Sequence, residues 1–304
     1  MIQISTNVGV IWEMSINWVP WQYKDTTAMA DATAEAPKPK KPPKPKTLKG
    51  PIRRVVKRYG KRLTRWVSAY QSRQSLVPDT PFVDNEHFPF LKEFEDRWEE
   101  IEAEVREVLK LREHIPGFQE VSPDQYRIAT AGNWKTLFLY GFGSKLETNC
   151  KQAPVTAGII GRAPNIHTAL FSILTPGYHI PAHTGVTKGI LRAHLGLIIP
   201  REREKCRIRV GDQFRTWEAG KVFIIDDTYE HEVWNDTDEE RVVLLLDFNR
   251  PMRLGGRLVN WLLLKAIKLT AFYQEPKKNI RDFEARFEAA AKRANENLEK
   301  LGDL

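Results

Sequence analysis

Cysteine is almost missing from this chain. Cys150 and Cys206 are the only two among 304 residues, far apart and in no metal-type spacing. That excludes a disulfide framework and makes a reducing compartment the default. Long apolar runs are missing too: none reaches the roughly 18–20 residues that would span a bilayer. Residues 1–28 have no basic start followed by an apolar stretch, so no secretory signal is expected there. Met29-Ala30-Asp31 reads as a natural start, and residues 1–28 are expected to be an upstream extension. Acid is missing from one segment: residues 36–78 carry 14 Lys and Arg and no Asp or Glu. The net charge of +8 therefore belongs to one arm, since the remainder holds 33 basic against 39 acidic residues. A mildly acidic body argues against a nucleic-acid partner.

What is present is ordinary for a globular protein of one large core: 41% apolar and 28% charged residues. Residues 1–49 are expected to be extended or disordered, with a Pro/Lys-rich linker at 36–49. Residues 50–75 read as a basic amphipathic helix. Ile52, Val55, Val56, Tyr59, Leu63, Trp66, Val67 and Tyr70 share one face, and seven Lys and Arg fill the other. That face either docks on the domain or sinks into an anionic membrane surface. A second helix is expected over 91–112. Residues 254–273 are apolar but interrupted by Arg257, Lys265 and Lys268; a core helix explains them, and partial burial in a lipid surface is the other reading. A polar helix follows at 277–301.

Between 156 and 250 the pattern changes to short segments rich in branched and aromatic residues. Pro176-Gly177, Gly211-Asp212, Ala219-Gly220 and Asn235-Asp236 separate them. Such spacing indicates a sandwich or jelly-roll barrel. Two histidines stand out within it: His183 in Pro-Ala-His-Thr-Gly, and His231 in Tyr-Glu-His-Glu-Val-Trp. Arg192 and His194 lie two apart, on one face of a strand. Arg241 opens another strand. Two imidazoles can hold a metal, and a guanidinium fork suits a carboxylate. This is the equipment of an oxygenase using Fe(II) and 2-oxoglutarate. The acid expected two residues after the first histidine is replaced by Gly185. His167 and His179 carry no metal role in this reading, and Lys188 and Lys221 read as surface charges.

Residues 165–250 resemble the aspartyl/asparaginyl β-hydroxylase family. The matching stretches are Ser172-Ile-Leu-Thr-Pro-Gly177, His183-Thr-Gly185, Leu191-Arg-Ala-His-Leu-Gly-Leu197, Trp217-Glu-Ala-Gly-Lys221, Asp226-Asp227 and His231-Glu-Val-Trp-Asn235. The resemblance implies a mainly β fold with flanking helices, built on a double-stranded β-helix (jelly-roll) core, within a dioxygenase domain at 79–250. Helices at 251–304 follow. It implies Fe(II) held by His183 and His231, since animal members of the family also carry glycine in place of the acid. It implies 2-oxoglutarate held by Ser172, Arg192, His194 and Arg241, with O2 as the other co-substrate. Asp227, four before the second histidine, is expected to be an outer-shell partner of the metal site.

The substrate expected is a fatty acyl chain of a membrane lipid. Asp79-Thr-Pro-Phe82 and His87-Phe-Pro89 resemble bacterial lipid A hydroxylases, and the regions 52–70 and 254–273 would supply peripheral membrane contact. Hydroxylation of peptidyl Asp or Asn is the alternative. It is weakened because an arginine precedes Leu-Arg-x-His in the animal enzymes, and Ile190 stands there here. A halogenase, or a barrel that binds without a metal, are remoter readings. The expected location is cytoplasmic, on the inner face of the membrane.

Overall fold

The computed structural model describes residue 63 and residues 66–302, except 126, 130, 131, 142 and 270. The expected extended segment and linker at 1–49 lie outside the described residues, as does most of the helix expected at 50–75. Eleven strands are described: β1 (Phe82–Val83), β2 (Trp134–Gly141), β3 (Ser144–Lys145), β4 (Ile166–Leu174), β5 (Tyr178–His183), β6 (Ile190–Ile198), β7 (Cys206–Val210), β8 (Gln213–Thr216), β9 (Val222–Ile225), β10 (His231–Asn235) and β11 (Arg241–Asn249). They form two antiparallel sheets, ordered β1-β9-β6-β11-β4-β2-β3 and β5-β10-β7-β8. Strands β4 to β11 thus interleave as 4-11-6-9 facing 5-10-7-8. This is the double-stranded β-helix, with β1, β2 and β3 extending the larger sheet.

The larger sheet is buried on both faces. On β11, Val242, Leu244, Leu246 and Phe248 enter one apolar cluster, while Val243 and Leu245 enter another. The first cluster lies under the helices α1 (Trp98–Leu109) and α2 (Pro154–Arg162), and the second fills the barrel. Period-2 alternation drives this sorting. Each fully buried Val or Leu contributes about 1.5–3 kcal/mol. The smaller sheet alternates instead: Ile208, Val210 and Val233 point inward while Arg207, Arg209 and Glu232 remain at the surface.

The helix stripe at Ile101, Val105 and Val108 packs as expected. The expected helix 91–112 is interrupted at Arg97, which leaves helical geometry at φ −116° and ψ 21°. Glu104 reaches the first turn of α2, accepting from the backbone N–H of Val155 and Thr156 at 2.6 and 2.9 Å. That places a carboxylate on the positive end of a helix. Residues 154–162, near the start of the region expected to be β, are thus helical, and the core strands begin at Ile166.

Residues 66–74 are helical, within the span expected. Gln71 is fully buried there and donates to Asn260 Oδ1 at 3.1 Å. Asn260 belongs to α3 (Leu254–Lys268), and its amide donates to Gly189 O at 3.2 Å. A Cβ on Gly189 would lie 1.8 Å from Asn260 Oδ1, so only glycine permits this approach. The final helix, α4 (Ala271–Gly302), runs through Pro276 and buries Ile280 and Phe287. No helix among the described residues is long and apolar enough to cross a membrane.

Candidate active site

His183 ends β5 and His231 opens β10, and the two are cross-strand partners in the smaller sheet. Their ring centroids are 4.1 Å apart. The pairing slips between His231 and Val233, a bulge of the kind that re-aims side chains. Each ring Nδ1 lies against a carbonyl two residues earlier: Pro181 O at 2.8 Å and Tyr229 O at 3.0 Å. A carbonyl only accepts, so both Nδ1 atoms carry the proton. Both Nε2 lone pairs are left for a metal. Burial holds His183 below its usual pKa and pushes His231 down to about 3. Neutral imidazoles are the form that ligates.

Gly185 is the position where an acid ligand is expected and missing. The space beside it is filled by Asp227: a Cβ on Gly185 would stand 2.1 Å from Asp227 Oδ1. Gly185 N also donates to Asp227 O at 2.6 Å. Burial raises the Asp227 carboxyl to about 6, against the opposing pull of Arg192. Among the described residues, no three His, Cys, Asp or Glu side chains are grouped to hold one ion. A metal here would therefore take two imidazoles from the protein.

Deeper in the barrel stand the other expected residues. His194 Nδ1 accepts from the Trp217 indole at 3.3 Å. An indole only donates, so the proton of His194 is on Nε2, and that buried donor has no partner. Arg241 is 2% exposed and its guanidinium lies 4.7 Å from the Trp217 ring. Its Nε also lacks a partner, and no carboxylate among the described residues pairs with it. Burial pulls its pKa down to about 10, against the opposing pull of the Cys206 thiol beside it. Ser172 is buried and accepts from Trp134 Nε1 at 2.9 Å. Buried polar groups are normally satisfied. A buried guanidinium with no carboxylate and an unpartnered Nε, beside a buried N–H with no partner, form a cradle for an anionic acceptor. The donor set fits a dicarboxylate.

Arg192 is placed differently from the other three. Its guanidinium forms a two-pronged pair with Asp247, Nε to Oδ1 at 2.7 Å and Nη2 to Oδ2 at 3.0 Å. Its Nη1 lies 3.9 Å from Asp227 Oδ2. Burial disfavours its charge, but Asp247 outweighs this and holds it protonated. Asp247 and Trp134 have no place in the sequence reading, and Trp217 enters it only as part of a matching stretch. Asp247 was accessible there in principle, since it shares inward parity with Arg241 on an otherwise apolar strand. Lys188, expected at the surface, is only 14% exposed and pairs with the buried Asp226 at 2.9 Å. Asp226 is also bound by Arg250, so this acid and both cations are structural. Lys221 is exposed as expected.

Residues 95–251 match the family described as aspartyl/asparaginyl beta-hydroxylase. A Rhizobium tropici ornithine lipid ester-linked acyl 2-hydroxylase is 42% identical over 226 residues, covering 74% of this chain and 80% of that protein. A mouse aspartyl/asparaginyl beta-hydroxylase is 39% identical over 134 residues, 42% of this chain and only 18% of the mouse protein. A Xenopus tropicalis aspartate beta-hydroxylase domain-containing protein 2 is 28% identical, over 66% of this chain and 56% of its own length.

Proposed function

This chain belongs to the aspartyl/asparaginyl β-hydroxylase family, and on that premise we propose that it is an Fe(II)- and 2-oxoglutarate-dependent hydroxylase of a fatty acyl chain on a membrane lipid. The observation that carries the reading is the pairing of two features in one barrel. Two imidazoles present Nε2 lone pairs side by side, and beyond them lie a buried cation with no carboxylate and an unpartnered Nε, and a buried N–H with no partner.

His183 and His231 would hold the iron. Bound there, it supplies oxygen activation coupled to conversion of 2-oxoglutarate to succinate and CO2, the second oxygen atom entering the substrate C–H bond. Arg241 and His194 Nε2–H would hold one anionic end of the co-substrate, with Ser172 beside them. Arg192 keeps Nη1 for a carboxylate while Asp247 fixes its orientation. Asp227 excludes a side chain from Gly185 and borders the metal side of the site.

Lipid is favoured over peptide by two features. The Rhizobium relative, named for an acyl 2-hydroxylation, shares most of its length with this chain. Ile190 puts an apolar side chain where a cation stands in the peptide hydroxylases. This reading places the protein at the cytoplasmic membrane face.

The test is anaerobic titration with Fe(II) and 2-oxoglutarate, watching for the visible charge-transfer band, then aerobic incubation with extracted lipid. Expected are the band, succinate formation, and one added oxygen atom on an acyl chain by mass spectrometry. His183→Ala should remove all three. Succinate with oxygen added only to peptide would replace the lipid reading, and no band would end the oxygenase reading.

A further inference from the structure

The surface of α3 runs against the rule for a core helix. Leu254, Leu258, Trp261, Leu262 and Leu269 are 80%, 58%, 55%, 52% and 86% exposed. Their spacing of four, seven, eight and fifteen residues from Leu254 puts them on one side of the helix. The other side is what docks: Gly256 and Asn260 are the buried residues of α3. The expectation that the apolar stripe of 254–273 faces a core is therefore corrected. The stripe faces outward, because Asn260 and the close approach at Gly189 fix the helix by its polar side.

A groove of about 950 Å³ lies along this helix. Leu254, Leu258 and Trp261 of α3 line it, together with Leu76, Val186 and Ile190. The groove meets the candidate active site at Asp247. Asp247, which orients Arg192, lines it, and Val186 is three residues beyond His183. Ile190 and Arg192 are two apart on β6 and face the same way. Arg257, Lys265 and Lys268 stand among the lining residues of the same helix. Residues 248–274 hold five Lys and Arg and no Asp or Glu.

We propose that this groove takes one acyl chain of a lipid still resident in an anionic bilayer, with the exposed leucine and tryptophan face of α3 seated in that bilayer. Charge complementarity selects the occupant. An exposed apolar stripe on a helix that carries Arg257, Lys265 and Lys268 and no acid matches an anionic leaflet, apolar side chains below the headgroups and ammonium and guanidinium groups among them. The chain then passes from the leaflet along Leu258 and Ile190 toward the imidazoles without crossing water. The inference rests on the hydroxylase reading only for what happens to the chain once bound.

The test uses the full chain, without iron or 2-oxoglutarate, and vesicles of phosphatidylcholine with or without phosphatidylglycerol. Co-sedimentation should be at least tenfold stronger with phosphatidylglycerol. It should fall at least tenfold in Leu258→Gln/Leu262→Gln, both exposed positions where an unchanged circular dichroism spectrum verifies folding. Lipids brominated along the acyl chain should quench tryptophan fluorescence, and Trp261→Phe should remove most of that quenching. Equal binding by the double variant, or quenching indifferent to Trp261→Phe, overturns the proposal. So does a dimer in solution that the double variant dissolves, or binding that appears only after residues 1–62 are removed. Those two results would assign the face to a second copy or to the chain's own arm. Vesicle binding here, with no succinate formed in the separate assay with Fe(II) and 2-oxoglutarate, would sink only the hydroxylase reading; the converse would sink only this one.

Discussion

At the residue scale, the decisive group is Arg241. A buried guanidinium with no carboxylate costs stability unless a ligand answers it. Arg241→Gln should therefore raise the KM for 2-oxoglutarate roughly 10- to 100-fold, the loss of a charge-assisted bond of about 1.5–3 kcal/mol. The ligand-free protein should melt no lower than the wild type. A lower melting temperature with unchanged KM would make Arg241 structural. The histidines give a second expectation. Burial lowers His183, His194 and His231, the last to about 3, while an unfolded histidine takes its proton near 6.5. The folded chain thus binds fewer protons, and stability falls as pH drops below about 6.5. Asp227 opposes this. Its raised pKa of about 6, against about 3.9 unfolded, returns stability as pH falls from 6 toward 4. Three histidines outweigh one acid, so thermal melts of the metal-free protein should show a net loss from pH 7.5 to 5. A flat profile would mean the imidazoles are not buried.

At the element scale, the loop after β5 and the loop before β10 are built for each other. Gly185 and Asp227 leave no room for an acid at position 185. Gly185→Asp should therefore not add a metal ligand. It should displace Asp227, destabilise the fold by about 1–3 kcal/mol through overpacking, and abolish succinate formation. Chemical denaturation and turnover check it, and an active, equally stable variant would refute the packing argument. The histidines, the Arg-x-His pair and the strand–turn rhythm were legible because each depends on local spacing. Strand β2 was not: Trp134–Gly141 is buried on both faces and shows no alternation. Nor was Asp247 as the partner of Arg192, since they meet only through the register of β6 on β11.

At the scale of the whole molecule, residues 71–78 tie the segment before the barrel to the chain that follows β11. Gln71 donates to Asn260, while Ser75 Oγ and Pro78 O accept from Arg250. A chain of residues 63–304 should keep its melting temperature. One of residues 80–304 should lose several kcal/mol, since Asn260 and Arg250 would be left with unanswered buried groups worth about 1–3 kcal/mol each. Equal stability of the two would show that residues 66–79 do not belong to the folded unit. Binding of the full chain to anionic vesicles should also weaken as salt rises toward physiological strength and beyond, because basic residues cluster in the arm and on α3.

The amino-acid order alone determined the barrel class, the two histidines and the basic residues suited to a dicarboxylate. Those follow from periodicity and side-chain chemistry, which are local. Tertiary structure decided what periodicity cannot express. It paired Arg192 with Asp247, closed Gly185 with Asp227, and left Arg241 Nε and His194 Nε2 without partners. It also turned the apolar stripe of α3 outward. An amphipathic pattern reports that a helix has two faces, and only packing determines which of them meets the protein.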